Sequence, residues 1–519
     1  MPVSHSICTI GRFQRRILAG AFSLALTIPL SGFAEEPIQG PAPLENPSPD
    51  MPPAQGPGLK GDPLGSSPQK TSQVPPVPKS SQKVLSWETG EGKSYLIPAL
   101  EIGGYIFLLN QYDRHFVEPR SDYKSGTKSF WNHLTDSKWV IDNDQFDVNQ
   151  FLHPYGGSIY YGLARSSGLN FWESLLYTAA GSFLWETGGE TVPPSTNDMI
   201  TTTFGGTFLG EPFFRMASLL LENDGEKPGL LREIGAAILS PPTGFNRLVF
   251  GDRFDTIYPS NKPATFMRIQ VGGSLTSSSH NVSGSVKETG GTADFQFIYG
   301  IPGKPGYTYK RPFDYFDFHF TAVTQNTFES IDTRGLLIGT TYAPNKDFRG
   351  IWGLYGMYDY ISPQVFRVSS TALALGTTWN WWLSQDVSLQ GSALGGGGYG
   401  AAGSIQRVQE RDYHYGITPQ GLLALRLILG DRAMIDLTGR EFYVSGLASS
   451  EPNGWENILR GDAALTVRII DRHGVALRYV TSHRDASYPF AAYSDQTVGT
   501  LSLMYVFLGK SGFGAVDWR

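Results

Sequence analysis

The chain has 519 residues and a formal net charge of −6, with a mean hydropathy of −0.19 and a pI near 5.9. Roughly 150 residues per domain would suggest three or four soluble domains, but only 17 % of residues are charged, 13 % are aromatic and 61 are glycine, a balance foreign both to disordered chains and to ordinary soluble enzymes. The mild acidity and the lack of any strongly basic run exclude nucleic acid as a partner.

Arg12, Arg15 and Arg16 precede an apolar run from Ile17 to Leu30, which closes on Ser31-Gly32-Phe33-Ala34. That order predicts a signal peptide over residues 1–34, since the apolar core is short for a bilayer of about 30 Å and ends in small residues. The single cysteine, Cys8, falls within this leader. A mature chain would then have no disulfide, thiolate metal site or cysteine nucleophile. Residues 35–83 are rich in Pro, Gly, Ser and Gln, as in Val74-Pro75-Pro76-Val77-Pro78. They read as an extended linker, either a plain spacer or a reach toward peptidoglycan or a periplasmic partner.

Between residues 84 and 262 the pattern changes to longer apolar segments broken by Gly and Pro. Three stretches, Asn149–Arg165, Asn170–Thr187 and Asp198–Leu221, have helical length and apolar faces, with Asn170 and Ser195 placed to cap. Tyr95–Asp113 is apolar enough for a helix or an additional strand, and a helix is expected because a further strand would make the strand count odd. The paired glycines Gly156-Gly157, Gly188-Gly189 and Gly205-Gly206 would let such helices approach closely. This is a small Gly-rich helical module.

From residue 263 to 508 apolar and polar side chains alternate in runs of strand length. Phe316, Phe318 and Phe320 oppose Asp317, His319 and Thr321, while Ile435 and Leu437 oppose Asp436 and Thr438. Period two over such lengths is the pattern of a transmembrane β-strand. Twelve runs begin near Phe266, Thr292, Asp314, Asp332, Gly350, Ser369, Asp386, Tyr415, Arg432, Ile458, Gly474 and Gln496, an even number as bacterial barrels require. Short connections alternate with long ones predicted over Tyr399–Tyr413, Leu447–Asn457 and Asp485–Asp495. Opposite charges on the polar face, Asp436 with Arg440 and Asp462 with Arg468, suit a wet lumen better than the alternative of a secreted sandwich. The fold class is therefore a membrane β-barrel preceded by the helical module, α+β overall. A short tail, 509–519, follows the closing strand.

The chemistry-bearing residues concentrate in the module: His153, Arg165, Trp185-Glu186, Glu190, Ser195-Thr196-Asn197-Asp198 and Gly210-Glu211-Pro212. The segment from about Trp131 to Leu221 resembles the core of an uncharacterised family of Gram-negative outer-membrane proteins, the domain of unknown function 3943. More remotely, the order His, Glu-x-x-x-Glu, Ser-x-x-Asp and paired glycines is similar to VanZ-like membrane families, in which a His, a Glu and an Asp recur on successive helices. Those families carry Asn four residues after the Asp, where this chain has Thr202. The resemblances imply an outer-membrane address with the N-terminus periplasmic, and no particular reaction.

On a continuous helix Glu186 and Glu190 would share one face, about 5–6 Å apart at Cβ. The pair could act as general acid and base, or join His153 and Asp198 around a divalent cation, since carboxylate and imidazole are the ligand types left without thiolates; no cofactor is expected otherwise. Alternatively both glutamates pair with Arg165 and hydroxyls such as that of Tyr160 as internal structural polar groups. Ser195, Asn197 and Glu211 complete the polar support. Ser195 lacks the Gly-x-Ser-x-Gly turn of a hydrolase and is explained by capping, and Gly395–Gly398 lacks the Lys-Ser/Thr of a phosphate loop and reads as flexible backbone entering an outer loop. The expected function is an outer-membrane barrel in contact with membrane lipid, whose module packs in or beneath the lumen and binds or modifies a lipid or cell-wall component. The competing expectation is a non-enzymatic barrel whose module is a plug or platform for solute passage, lipid handling or envelope assembly.

Overall fold

The computed structural model describes residues 84–519 apart from 118, 143, 223–226, 281–283, 364, 405–412, 448–453 and 490. The predicted signal peptide and linker lie outside these residues. Twelve antiparallel strands run β1 (Thr265–His280), β2 (Gly284–Tyr299), β3 (Phe316–Val323), β4 (Ser330–Tyr342), β5 (Phe348–Ile361), β6 (Phe366–Trp382), β7 (Val387–Ser404), β8 (Tyr413–Leu429), β9 (Ala433–Val444), β10 (Trp455–Ile470), β11 (His473–Tyr488) and β12 (Ala491–Leu508). Each pairs with its neighbours in sequence and β1 pairs with β12, which closes the cylinder and leaves no sheet edge.

Two loop expectations are corrected. The long connection predicted over Asp485–Asp495 is mostly strand, because β11 continues to Tyr488 and β12 begins at Ala491. Gly395–Gly398 lies inside β7 rather than at the entry to a loop. A Cβ on Gly396 or Gly398 would fall 2.1 Å from the carbonyl oxygen of Leu373 or Thr371 on β6, so these glycines allow close backbone approach within the sheet.

Side chains at alternate positions meet inside. Arg478 on β11 donates to Asp294 on β2 at 2.6 Å, Arg268 on β1 to Asp436 on β9 at 2.7 Å, and Arg426 on β8 to Gln296 on β2 at 2.7 Å. Arg440 on β9 likewise meets Asp359 on β5. Strands this far apart around the wall can touch only through the bore. The pairing differs from that expected along single strands: Asp436 takes Arg268 and Arg426, Asp462 takes Arg478, and Arg468 meets Asp431 at a strand end. Residues four or six apart on one strand are separated by about 13–20 Å, whereas Arg426 and Arg478 reach their partners from the neighbouring strand and Arg268 reaches Asp436 across the bore. A cavity of about 130 Å³ remains in the lumen.

The barrel end that carries both Thr265 and Leu508 is closed further by the tail. Phe513 is fully buried, in one cluster with Phe266, Met434 and Val506. Gln390 donates to the Gly514 carbonyl at 2.8 Å and Trp382 to that of Val516 at 2.9 Å.

The opposite positions point outward. On β9 to β12 they are exposed apolar side chains such as Leu437, Leu465, Leu477 and Leu503, a lipid-facing surface of the kind that membrane barrels present. On β2 to β5 the same face is covered. Phe297, Phe316, Phe318, Tyr358 and Tyr360 are at most 4 % exposed, while Asp317 and His319, between and beyond the phenylalanines, turn inward to Arg334 and Asp294.

The cover is the helical module. Its helices are α1 (Leu96–Phe116), α2 (Thr127–Thr135), α3 (His153–Ser166), α4 (Phe171–Leu184), α5 (Thr196–Ile200), α6 (Gly206–Leu221), α7 (Leu230–Leu239) and α8 (Pro241–Phe250). Phe213 of α6 meets Phe318 edge-on at 5.5 Å, Phe171 of α4 stacks on Phe313 at 5.6 Å, and Phe151 lies 4.5 Å from Phe328. The module therefore packs against the outer wall, which corrects the expectation that it sits in or beneath the lumen. Strand side chains and the tail fill the bore, so the bulky faces of β2 to β5 are buried by helices instead of facing inward. No helix among the described residues is long and apolar enough to cross a membrane.

Candidate functional site

Local sequence explains how the module presents its polar groups. Asn170 caps α4 through Glu173 in a reciprocal capping box. Ser195 caps α5, its Oγ accepting from the Asp198 amide at 3.2 Å. Gly157 and Gly206 let α3 and α6 cross in contact, since a Cβ on Gly157 would lie 2.0 Å from the Thr202 carbonyl oxygen and one on Gly206 2.6 Å from the Gly157 backbone.

Three π-helical turns interrupt these helices: Val148–Leu152 ahead of α3, Trp185–Gly189 after α4, and Thr201–Gly205 between α5 and α6. His153 follows the first, Glu186 sits within the second, and Asp198 lies on the short helix before the third. π-turns are uncommon and concentrate at functional sites. Here they also change an expectation. The segment carrying Glu186 is a π-turn that ends at an extended Glu190, so the two glutamates do not lie on one face of a continuous α-helix.

Glu186, Asp198 and Glu190 nevertheless share one electrostatic neighbourhood. Glu186 accepts from the Ser195 amide at 2.8 Å, Glu190 from the Trp185 indole at 3.0 Å, and Asp198 from Asn197 Nδ2 at 2.9 Å. Glu186 and Asp198 are each 3 % exposed. Burial, and then the negative charge of neighbouring carboxylates, push Glu186, Glu190 and Asp198 well above the usual carboxylate range; Asp198 repels both glutamates, and Asp142 repels all three. Burial lowers His153, favouring a neutral imidazole, and its Nδ1 lies 3.2 Å from Thr202 Oγ1. The position where the remote resemblance expects Asn thus holds a hydroxyl that meets the histidine.

Arg165 is not a partner of these acids. Its Nε and Nη2 donate to Glu211 at 2.8 and 3.0 Å, Arg215 Nε donates to the same carboxylate at 2.8 Å, and so does Tyr161 at 2.8 Å. Burial alone would raise Glu211, but the two guanidinium groups hold it at about 2. Arg215 continues to Asp314 at 2.8 Å, next to β3. This second cluster fastens α6 to the barrel. Tyr160 packs edge-on to Tyr105 at 5.8 Å and adjoins Gly181. The expectation that Arg165 pairs with Glu186 and Glu190 is therefore not met, because Glu211, on the adjoining helix, takes the arginine, while Tyr160 lies within the electrostatic reach of both glutamates.

Asn197 joins the acidic cluster to the barrel. Its Nδ2 donates to the Tyr415 hydroxyl at 2.8 Å, and its Oδ1 accepts from the Asp142 amide at 2.7 Å and from Ser195 Oγ at 2.9 Å. Gln150 reaches Tyr415, Asn149 reaches Tyr413 and Asp142, and the Tyr358 hydroxyl donates to the Gln150 carbonyl. Sequence reasoning missed Asp142, Asn149, Gln150 and these tyrosines. Only the run of amides just before His153 hinted at them. Among the described residues, the His, Asp and Glu groups whose ligating atoms come within 4.8 Å of one another are His483, Asp485 and Asp495 on β11 and β12. His153, Glu186, Glu190 and Asp198 do not form such a set.

Residues 138–242 match the family described as a domain of unknown function, DUF3943. No curated protein matches the chain. Its structure is similar to a COG4313 outer membrane channel from Pseudomonas putida F1, with 9 % identity over 49 % of this chain and 100 % of that one at a TM-score of 0.26. It is also similar to the NanC porin, with 7 % identity over 44 % and 98 % at a TM-score of 0.23, and to an anion-selective porin from Comamonas acidovorans, with 7 % identity over 47 % and 100 % at a TM-score of 0.19. With scores this low, a functional reading rests on the chain's own geometry.

Proposed function

We propose that this protein is an outer-membrane barrel of Gram-negative bacteria that serves as a scaffold, and that its flanking helical module binds and modifies an envelope component by acid–base chemistry. The observation that carries the reading is the convergence of three π-turns on one cluster of mutually repelling buried carboxyls, with a buried histidine that feels the charge of Asp142, as the carboxyls do. Burial and mutual repulsion favour the protonated form within the cluster, so one carboxyl can donate a proton while another accepts one. Glu186 and Asp198 are the proposed acid–base pair, Glu190 tunes them, and His153 and Asn197 position the substrate and the π-turn backbone. With both barrel termini on the periplasmic side, the Tyr413 and Tyr415 end of the barrel, and with it the cluster, lies toward the outer leaflet.

A channel role draws less support, because arginine–carboxylate pairs cross the bore. The test compares lipid and peptidoglycan extracts from cells carrying wild type, Glu186→Gln, Asp198→Asn or His153→Ala, each checked for heat-modifiable folding. A species present only with wild type is the expected result. Identical extracts from folded variants would remove the reading.

A further inference from the structure

The helices leave a broad apolar face turned away from the barrel. On α1, Leu96, Leu100 and Phe107 are 67, 66 and 62 % exposed, and on α4, Trp172, Leu176 and Phe183 are 46, 66 and 40 % exposed. Both sets fall at i, i+4 and i+11, so each forms one stripe along its helix. Soluble proteins rarely show contiguous apolar patches above a few hundred Å², and this face belongs to two separate helices. We infer that the module is seated in the bilayer beside the barrel, with the outer stripes of α1 and α4 resting on lipid acyl chains.

The occupant follows from continuity. The barrel's own outward face, with Leu437, Leu477 and Leu503 at 48, 50 and 62 % exposed, is the lipid surface of the same molecule. The module lies against that wall, and the run from α5 to α6 follows it from Asn197, bonded to Tyr415 at one end, to Arg215, bonded to Asp314 at the other. That run is about 27 Å long at about 1.5 Å per residue, comparable to the apolar band of an outer-membrane barrel, about 25 Å tall. A body docked along the whole height of a membrane barrel displaces lipid there and must meet lipid on its far side. The inward halves carry the polar groups: Ser174, Thr178 and Ser182 on α4 are at most 1 % exposed. No helix has to be apolar all round, since one flank of each is covered by protein. The inference concerns where the module sits and stands whether or not the carboxyls act chemically.

Spin labels decide it. The single native cysteine, Cys8, is replaced by Cys8→Ser, and full-length protein in phospholipid bilayers carries a label at Leu100→Cys, Leu176→Cys or, as reference, Leu477→Cys. The labels at Leu100 and Leu176 should collide with oxygen in preference to a water-soluble nickel chelate, as at Leu477. Leu248→Cys on α8, where the leucine is 85 % exposed, is a second module site should one variant fold poorly. Preference for nickel at the module sites while Leu477 remains in lipid overturns the inference. So does shielding from both reagents, which would mean a protein partner or a second copy. Preference for nickel at Leu477 as well would overturn the membrane reading of the barrel itself.

Discussion

Replacing Glu211 by Gln tests how the module is fastened to the barrel. The carboxylate is fully buried and accepts from Arg165, Arg215 and Tyr161. The amide keeps the shape but removes the charge and turns one acceptor into a donor facing guanidinium groups. Arg215 retains Asp314 and the Pro312 carbonyl, whereas Arg165 keeps only the Leu169 carbonyl and ring faces such as that of Phe214, 4.6 Å away. Leaving a buried charge without its counterion typically costs about 3–5 kcal/mol, equivalent to a 10²- to 10³-fold or larger rise in the open population of the module. Hydrogen exchange of α3 and α6 amides in detergent-solubilised protein should show that rise while the strands stay protected. The pH dependence has a definite sign. Because Glu211 is depressed to about 2, its contribution is present above the ordinary carboxylate pKa and is lost as pH falls through about 2; the variant lacks this acid limb. Unchanged protection of α3 and α6 in Glu211→Gln would refute the argument that this carboxylate holds the module together.

The acidic cluster has the opposite sign: Glu186, Glu190 and Asp198 are raised, so their contribution is full below the ordinary carboxylate pKa and is lost as pH rises through the raised values. Thermal melts should show wild type losing stability on alkalinisation and Glu186→Gln losing less, and equal slopes would count against a shared buried charge. Asn197→Ala removes the bonds to Tyr415 and the Asp142 amide and should cost about 1–3 kcal/mol, read as faster proteolysis of the module with heat-modifiability of the barrel intact. Gly157→Ala places a Cβ 2.0 Å from the Thr202 carbonyl and should destabilise the module by about 1–3 kcal/mol or more, measured in the same proteolysis assay. Full-length protein in planar bilayers should give no steady open-pore conductance, because arginines span the bore; a stable large conductance would mean those pairs do not close it.

The sequence by itself determined the barrel, because a strand's two faces repeat every second residue and a lipid belt against a charged lumen writes that period directly into the chain. It also determined the module's helices, their caps at Asn170 and Ser195, and the glycines at which helices cross, all of which are local or near-local physics. Partnership was decided by the tertiary structure alone. Phe316, Phe318 and Phe320 look like any outward apolar face, and nothing local distinguishes a face covered by acyl chains from one covered by Phe213. Arg165 could have served Glu186 or Glu211, and the crossing of α3 with α6 put it beside Glu211. The π-turn at Trp185–Gly189 carries Glu186 and leaves Glu190 in extended backbone beyond it, and Tyr413 and Tyr415 reach the acidic cluster from more than two hundred residues downstream. Alternation and capping are set by neighbours along the chain, whereas a buried charge is assigned to whichever counterion packing brings within about 3 Å, a distance that sequence spacing does not encode.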